Sequence, residues 1–405
     1  MIGLLFWLFI FVIIYTYAGY PLLVSLLARL APRRPPGQLP EQLPGVTLLI
    51  AAYNEEPVIG AKIENSLTLD YPRERIQILI ASDGSVDRTG EIVRGYAAQG
   101  VELVHSPERR GKTAAINRAV PLARGDVIVF SDANNFYSPS ALRELVAPLS
   151  DPSVGAVSGA KTIERGDGAL GESEGLYWKY ESFIKMQETR LGSCLGVAGE
   201  ILAIRRELFE PLPERVINDD FYIAMRIIRR GYRVVYAPRA RSTELASVSA
   251  GDEVARRSRI VAGRYQAITL APKLLPFRRP VVIWEVLSHK FLRPLVPLAM
   301  AGAAITNVIA LIQPPATGPA LLRLAPPINW MLLLAQAAFY ALAWLGNRTG
   351  HDGKLGKALY VPAFLLNSNL AAVIGLYRFA TGRQTNLWQR ARRLEPHSIK
   401  REEGL

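Results

Sequence analysis

The chain of 405 residues is 50% hydrophobic and carries a formal net charge of +13. That apolar fraction is too high for one ordinary soluble domain, so membrane-spanning segments are expected. The basic residues cluster beside the apolar stretches, which favours contact with anionic membrane lipid over binding of nucleic acid. The single cysteine, Cys194, excludes an internal disulfide framework and fits a reducing, cytosolic environment.

The amino-terminal stretch is predicted to be a membrane helix. Residues 1–28 contain no charged side chain, and the first basic residue, Arg29, follows the apolar run instead of preceding it. Both features favour a retained transmembrane helix over residues 1–31. A cleaved secretory signal stays as the alternative, because Ala28 and Ala31 are small residues near a suitable cleavage position.

A proline-rich linker over residues 32–45 separates this helix from a pattern that is typical of an α/β domain. Short apolar runs of strand type alternate with segments of helical periodicity, which predicts a parallel, doubly wound sheet. The predicted strands are residues 46–52, 76–81, 101–105 and 127–135, and the segments between them include predicted helices at 86–98 and 114–122.

Polar residues stand where three of these strands end. They are Asn54 with Glu55, then Asp83, then Asp132 with Asn134. The carboxyl ends of parallel strands meet at one edge of a sheet, where such folds bind their ligands. Carboxylate and amide oxygens suit a hard cation such as Mg²⁺ or Mn²⁺, and that cation suits a diphosphate.

Lys112 lies in the sequence Arg110-Gly-Lys-Thr113, which superficially resembles a phosphate-binding loop. The upstream glycine of the Walker motif is missing, so a P-loop ATPase is not favoured. Lys112 is better interpreted as a general phosphate or acidic-edge contact.

Five short motifs in a fixed order closely resemble family 2 glycosyltransferases, and in particular the membrane-embedded branch that includes cellulose, hyaluronan and poly-N-acetylglucosamine synthases. The motifs occupy residues 52–56, 82–87, 111–117, 131–134 and 218–220. The resemblance implies a GT-A-like (Rossmann-like) cytosolic domain over residues 46–270, with a mostly parallel sheet, flanked by transmembrane helices.

The resemblance also implies roles for individual positions. Asp83 would read the uracil and ribose end of a nucleotide-sugar, and Asp132 with Asn134 would bind Mg²⁺ or Mn²⁺. Asn134 stands where the family has a second acid, which keeps an oxygen ligand but removes one charge. The implied donor-binding residues are Ala52, Tyr53, Glu55, Asp83, Lys112 and Asp132.

Asp219 and Asp220 match the family's Glu-Asp pair, which places Asp220 at the general-base position and Asp219 beside the diphosphate and acceptor. An acceptor hydroxyl must lose a proton as it attacks the anomeric carbon, and one placed carboxylate can take that proton. A single displacement would invert the anomeric centre. The alternative is that these acids only stabilise the start of a helix over residues 221–228.

The family's processive members carry Gln-x-x-Arg-Trp near the membrane, where it binds the diphosphate and the acceptor. In this chain Arg256 replaces the Gln, Arg259 keeps its place, and Ile260 replaces the Trp. Two cations suit a diphosphate. Loss of the aromatic side chain removes a surface on which a sugar ring could stack, which favours a single addition over processive synthesis.

The carboxyl-terminal third is predicted to be a membrane region. Residues 271–293 mix basic and aromatic side chains in the manner of an interfacial helix, and residues 294–378 are expected to hold about three spans. These uncharged stretches are residues 294–322, 324–347 and 358–377. Three spans would put the basic tail, 379–405, outside the cell, against the positive-inside rule. Either one of these stretches is re-entrant or interfacial, or the positive-inside rule fails here. The Pro-Pro pairs at 314–315 and 326–327 are places where a span could break.

The sequence thus predicts a multi-pass protein of the bacterial inner membrane with a cytosolic inverting glycosyltransferase domain. Its expected substrates are a nucleotide-sugar, preferably a UDP-sugar, and a growing β-linked polysaccharide. Two alternatives stay open. One is a non-processive transferase with a lipid-linked acceptor, and the other is a non-catalytic membrane protein that senses a ligand or holds a partner.

Overall fold

The structure is a computed structural model that describes residues 1–31, 37–164, 169–245, 250–313, 319–348 and 353–384. Parts of the predicted linker (32–36), the Pro-Pro pair at 314–315 and most of the basic tail (385–405) lie outside the described residues. The chain divides into two compact units. The helical unit comprises Met1–Arg34, Phe183–Leu195 and Arg257–Gln384, and the sheet unit comprises Pro35–Ser182 and Gly196–Arg256.

The sheet unit contains one eight-stranded sheet in the order β3-β2-β1-β4-β7-β6-β8-β5. The strands are β1 Val46–Ala52, β2 Ile76–Asp83, β3 Val101–Ser106, β4 Val127–Asp132, β5 Asn135–Tyr137, β6 Val154–Glu164, β7 Leu202–Arg205 and β8 Arg233–Leu245. Its helices are Glu56–Leu67, Thr89–Gly95, Lys112–Ala119, Ala141–Val146 and Asp219–Arg229, with 3₁₀ turns at Arg73–Arg75, Ala97–Gln99, Val120–Leu122, Ala147–Ser150 and Arg206–Leu208. Helices Ala169–Leu191 and Ala250–Thr269 each have residues in both units.

The sheet confirms the predicted mostly parallel α/β fold and extends it. β1, β2, β3 and β4 pair in parallel, as the four apolar runs predicted. β7 is antiparallel to both β4 and β6, and β8 is parallel to β6. β6 and β8 therefore run in the same direction as β1 to β4, while β7 and β5 are reversed. Six of the eight described strands thus end at the same edge of the sheet.

The sequence signals explain why the first strands are predictable. β1 is buried along its whole length, so it reads as a continuous apolar run, which is typical of a strand covered on both faces. Side chains of β1, β2 and β4 meet helix Glu56–Leu67 in the main hydrophobic core. Pro57 starts that helix, where its missing N–H costs nothing.

β6 and β8 escaped prediction because their sequences break the strand pattern. β6 is rich in glycine, serine and alanine, and β8 contains Pro238 within a run that includes several arginines. The β6–β8 register jumps from the pair Gly159 with Ala237 to the pair Ala160 with Arg241, so residues 238–240 bulge out of the ladder. A bulge tolerates a proline that a regular ladder would exclude.

Among its described residues, the helical unit has four helical runs that are long and apolar enough to cross a membrane. They are Ile2–Leu30, Pro280–Ile312, Ile328–Arg348 and Ala358–Ala380. The third begins directly after the second Pro-Pro pair, and the second is continuous with most of the segment that was expected to lie in the interface. The other helical elements of the chain are α-helices Ile2–Ile14, Tyr20–Leu30, Ala271–Leu274, Pro280–Glu285, Val296–Ile312, Ala320–Arg323, Ile328–Arg348 and Gly353–Ala380, π segments Tyr15–Gly19 and Val286–Phe291, and the 3₁₀ turn Arg293–Leu295. Of these, Ala271–Leu274 and Ala320–Arg323 lie outside the four runs.

Polar groups inside the helical unit are joined by a buried hydrogen-bonded cluster. The Tyr20 hydroxyl donates to Glu188 Oε1 at 2.7 Å, and His289 Nδ1 lies 2.6 Å from the same oxygen. The backbone N–H of Leu195 donates to Glu188 Oε2 at 2.9 Å. His289 is therefore a buried hydrogen-bonding partner within its own unit. Cys194 is fully buried.

Candidate active site

The direction of the strands gathers charged side chains at one edge of the sheet. Asp83 and Asp132 are the last residues of β2 and β4, and Lys161 and Glu244 lie near the carboxyl ends of β6 and β8. Glu200 stands just before β7, which runs away from this edge, so it arrives there from the opposite direction. The topology thus assembles at one crevice the acids that the sequence predicted and further charges that it did not.

One group of charges, here called the Lys112 cluster, consists of Lys112, Asp132 and Asp219. Lys112 Nζ donates to Asp132 Oδ1 at 2.6 Å and lies 3.8 Å from Asp219 Oδ2. Burial disfavours the charge on Lys112, but Asp132 and Asp219 outweigh it and raise the lysine pKa above its ordinary value. Burial likewise opposes the charge on Asp132, yet Lys112 holds the pKa of that carboxyl below its usual value. Both groups are therefore charged and paired near neutral pH.

The position of Lys112 follows from its loop. Gly111 has φ +98°, a conformation that favours glycine, and Lys112 is the first residue of helix Lys112–Ala119. On the same helix the amide of Asn117 pairs with both backbone groups of Leu212, which anchors the loop leading to Asp219.

The surroundings of Asp220 raise its pKa. Burial, then the Asp219 charge, raises the pKa of Asp220 to about 6. The backbone N–H of Phe221 donates to Asp220 Oδ1 at 2.7 Å. Gly199 packs directly against it, since a Cβ atom added there would lie 3.1 Å from the Asp220 Cβ. A placed carboxylate with a pKa just below neutral can accept a proton at physiological pH. Both aspartates lie in the first turn of helix Asp219–Arg229, so a stabilising role at the helix start coexists with this property.

Asp83 makes hydrogen bonds within the protein. Its carboxylate accepts the backbone N–H of Gly111 at 2.6 Å and that of Arg110 at 3.1 Å, and the residue is 1% exposed. Arg118 Nη2 lies 3.7 Å from it. In this arrangement Asp83 fixes the loop before Lys112. A contact between Asp83 and a nucleotide stays a prediction.

The remaining predicted donor residues lie around the end of β1. Ala52 is its last residue and is fully buried, and Glu55 is 7% exposed just before helix Glu56–Leu67. Tyr53 is half-buried, with the Arg109 guanidinium 3.8 Å from its ring centroid. Arg109 was not among the predicted site residues, although it stands in the same loop as Lys112.

Asp132 and Asn134 lie at a sharp turn between β4 and β5, and their joint binding of a metal stays a prediction. β4 ends at Asp132 and β5 begins at Asn135, so two residues make the reversal. The Asp132 side chain is 40% exposed. Within the described residues no group of three or more His, Cys, Asp or Glu side chains is placed to hold a metal ion. One carboxylate and one amide oxygen fit a hard cation whose other ligands are water and substrate phosphate.

A second group of charges, the Lys161 cluster, consists of Lys161, Glu200 and Glu244, and neither Lys161 nor Glu244 was predicted. Lys161 Nζ lies 3.3 Å from Glu200 Oε1 and forms a short ion pair with Glu244. Burial opposes the charge on Lys161, but the two glutamates raise its pKa. A strand prediction for β6 and β8 would have placed Lys161 and Glu244 at the crevice.

The two predicted arginines lie in different units. Arg256, in the sheet unit, is near enough to Lys161 for their like charges to interact. Arg259 belongs to the helical unit and is half-buried. The predicted contacts of Arg256 and Arg259 with a diphosphate both stay predictions.

Comparison with known proteins identifies the domain that carries the crevice. Residues 47–212 match the family described as Glycosyl transferase family 2. The poly-β-1,6-N-acetyl-D-glucosamine synthase of Staphylococcus aureus is 27% identical over 234 residues, which are 56% of this chain and 56% of that protein. A probable glycosyltransferase of Bacillus subtilis, YdaM, is 28% identical over 222 residues, 49% of this chain and 50% of that one. This chain thus aligns with about half the length of these relatives and carries a family 2 glycosyltransferase domain, which confirms the resemblance seen in its motifs.

A solved structure has the same fold. The mannosyltransferase PcManGT from Pyrobaculum calidifontis, in complex with GDP-Man and Mn²⁺, superposes with a TM-score of 0.69 over 95% of this chain and 100% of that one. The identity is 23%, so the likeness establishes the fold alone. The GT-A-like fold expected from the sequence is confirmed.

Proposed function

We propose that this chain, through its family 2 glycosyltransferase domain, moves a sugar from a nucleotide-sugar to a hydroxyl group of a growing β-linked polysaccharide at a membrane. The observation that carries the proposal is the contrast between two adjacent acids. Asp219 lies 3.8 Å from the Lys112 ammonium, while burial and Asp219 raise the pKa of Asp220 to about 6. The crevice therefore has one carboxylate suited to accept a proton.

Asp220 acts as the general base in this proposal. It removes the proton of the acceptor hydroxyl while that oxygen attacks the anomeric carbon and the nucleoside diphosphate leaves from the opposite face. A single displacement of this kind inverts the anomeric configuration, so an α-linked donor gives a β-glycoside.

The donor diphosphate would lie against the Lys112 cluster. Asp132 and Asn134 would hold Mg²⁺ or Mn²⁺, which supplies charge stabilisation to the leaving diphosphate when it is bound. Lys112 would then exchange its partner Asp132 for phosphate oxygens, since an ammonium is a suitable phosphate contact. Mn²⁺ in the mannosyltransferase of the same fold supports a divalent cation.

The proposed location is the bacterial inner membrane. Four helical runs long and apolar enough to cross a membrane support a multi-pass protein, with the transferase domain in the cytosol where nucleotide-sugars are made. The relatives named as poly-N-acetylglucosamine synthases support a polysaccharide product and its possible export.

A second candidate is a non-processive transferase with a lipid-linked acceptor. Ile260 favours it, because this position has no aromatic ring on which a growing chain could stack. A non-catalytic ligand sensor is less favoured, since a sensor has no need of a base with a pKa of about 6.

The test uses the full-length protein in nanodiscs with Mg²⁺ or Mn²⁺ and a panel of radiolabelled UDP- and GDP-sugars. Transfer to a β-linked polymer is expected, and the length of the product separates a synthase from a single-addition enzyme. GDP-sugars are included because GDP-Man is bound in the structure with the same fold. Absence of turnover with every donor would contradict the proposal and favour the sensor.

A further inference from the structure

Lys62 is a buried lysine on the face of helix Glu56–Leu67 that packs in the main hydrophobic core. Its side chain has no exposed surface, and the other buried residues of that face include Ile59 and Ile63. A lysine is almost never fully buried without a partner, because removing its charge from water is costly. Burial accordingly lowers the pKa of Lys62 to about 7. An apolar residue would fill this position at less cost, so stability alone does not explain a lysine here.

The partners of Lys62 belong to β5, which directly follows the turn that carries the predicted metal ligands. Lys62 Nζ donates to the backbone oxygen of Asn135 at 2.6 Å and lies 4.2 Å from the centre of the Tyr137 ring. The charge of Asp132 opposes the effect of burial on the lysine pKa, so the two side chains are close enough for their charges to interact. Lys62 therefore reaches the turn of residues 132–135 from within the protein.

Asn65, about one turn further along the same helix, holds the other end of β5. Its side-chain amide donates to the backbone oxygen of Tyr137 at 3.0 Å and accepts the backbone N–H of Tyr137 at 2.8 Å. β5 has three residues and lies at the edge of the sheet beside β8. So short an edge strand has few ladder hydrogen bonds of its own, and the contacts with helix Glu56–Leu67 help to fix the point where the turn ends.

The predicted metal site depends strongly on the geometry of this turn. In the proposed reaction Asp132 and Asn134 both bind the cation, and only Asp132 carries a charge. A site with one carboxylate has less charge attraction to offset a misplaced oxygen than a site with two. Groups that hold metal ligands in place typically change the metal affinity by about 10- to 100-fold when they are removed.

We propose that Lys62 is a positioning residue for the metal site: its hydrogen bond to Asn135 holds the turn of residues 132–135 so that both predicted ligands face one cation. Asn65 supports the same turn through Tyr137. The inference rests on the metal site of the proposed function, and it assigns a role to two side chains that touch neither the cation nor the substrates.

The experiment measures Mn²⁺ binding to the full-length protein in phosphatidylcholine nanodiscs without substrates. Binding removes the electron paramagnetic resonance signal of free Mn²⁺, and empty nanodiscs are the blank. The variants are Asn65→Ala and Lys62→Met, whose unbranched side chain fills the site without an N–H group. Measurement at about pH 8, above the pKa of Lys62, keeps the repulsion between an ammonium and the cation small.

Two control variants leave the contacts of the turn intact. Ser66→Ala changes a buried residue of the same helix, whose hydroxyl donates to the backbone oxygen of Lys62 at 2.7 Å. Glu144→Gln is the second control, because Glu144 pairs with the exposed Arg239 on the same unit. A loss of Mn²⁺ affinity that came from general loosening of the helix would appear in Ser66→Ala as well.

We expect Lys62→Met to raise the Mn²⁺ dissociation constant about 10- to 100-fold and Asn65→Ala to raise it about tenfold, while both controls match wild type. The melting temperature of Lys62→Met should not fall below that of Ser66→Ala, because an apolar residue in place of a buried charge is often neutral for folding. Saturating Mn²⁺ should bring sugar transfer by Lys62→Met to within about threefold of wild type, since Lys62 acts through the metal site.

The outcomes separate this inference from the proposed function. Weaker Mn²⁺ binding in both variants supports the positioning role even if no donor is turned over, in which case the transferase function alone is wrong. If Lys62→Met binds Mn²⁺ as tightly as the controls, the positioning role is wrong while sugar transfer stands. A lower melting temperature with unchanged Mn²⁺ affinity would likewise assign Lys62 to folding. A wild-type protein that transfers sugar but binds no Mn²⁺ would overturn both the metal site and this inference.

Discussion

The two charged clusters of the crevice differ in how far their side chains are exposed to solvent. In the Lys112 cluster the lysine is 18% exposed and lies beside two carboxylates, Asp132, which is 40% exposed, and Asp219, which is 17% exposed. In the Lys161 cluster the lysine is 8% exposed and is held between two glutamates. The more exposed Lys112–Asp132 pair can exchange its partner at lower cost. The Lys161 cluster keeps its geometry, because separating its members leaves buried charge unpaired. In the proposed reaction the first arrangement suits a diphosphate that arrives and leaves with every turnover, and the second suits a part of the crevice that stays rigid.

Asp220 stands between the clusters and receives a charge effect from each. Its neighbour Asp219 belongs to the Lys112 cluster, and Glu200 belongs to the Lys161 cluster. Because Asp220 is the proposed general base, it is the position where a substitution should cost most.

The largest expected effect is that of Asp220→Asn. The amide keeps the shape of the side chain but cannot accept the hydroxyl proton, so kcat should fall about 10²- to 10⁴-fold while the donor KM changes little. Initial rates of sugar transfer at saturating metal measure this. A rate within about threefold of wild type would show that another group is the base.

Asp132→Ala is expected to have the second-largest effect, because it removes the exposed carboxylate of the proposed metal site. Loss of a direct ligand should raise the metal concentration needed for half-maximal rate about 100-fold or more. Titration of the rate with Mn²⁺ is the measurement, with Glu144→Gln as the control. An unchanged metal requirement would place the cation elsewhere.

The same difference explains how much could be predicted from the sequence. Short apolar runs that end in Asp83 and Asp132 indicate parallel strands with a shared edge. The side of the crevice that carries Lys112 could therefore be predicted from the sequence. Lys161 follows a run of small residues, and Glu244 ends a strand that contains Pro238. Neither of these two strands has the periodicity that would mark a strand in the sequence. β6 is joined to β4 through the reversed strand β7, a long-range pairing that has no local sequence signal.

Individual contacts were also beyond sequence reasoning. The motif around Asp83 was recognisable, but its hydrogen bonds to the backbone of Arg110 and Gly111 depend on the path of a loop. The proximity of Arg109 to Tyr53 likewise requires the end of β1 and the loop after β3 to lie side by side. In the membrane region, length and apolarity sufficed to locate four helical runs, whereas their exact bounds depended on proline positions.

Asn134→Asp probes the open cluster in the opposite direction. A second carboxylate beside Asp132 adds negative charge at the proposed metal site, so half-maximal rate should need about tenfold less Mn²⁺. The titration used for Asp132→Ala measures this as well. The variant is compared with wild type. A Mn²⁺ concentration for half-maximal rate that is equal to or higher than that of wild type would contradict a ligand role for Asn134.

The smallest expected effect joins both clusters through the pKa of Asp220. Below a pH of about 6 this carboxylate is protonated in the folded protein and cannot accept a proton, so kcat/KM should fall about tenfold per pH unit on the acid side. Glu200 raises the Asp220 pKa and Lys112 lowers it. Glu200→Gln should therefore move the acid limb to lower pH, and Lys112→Met should move it to higher pH, each by about one unit or less. Rate profiles between pH 4.5 and 8, about the range that contains this titration, measure both shifts. If the two variants shifted the acid limb of the pH profile in the same direction, Asp220 would not be the group whose titration sets that limb. Its position beside both clusters would then not matter for the reaction.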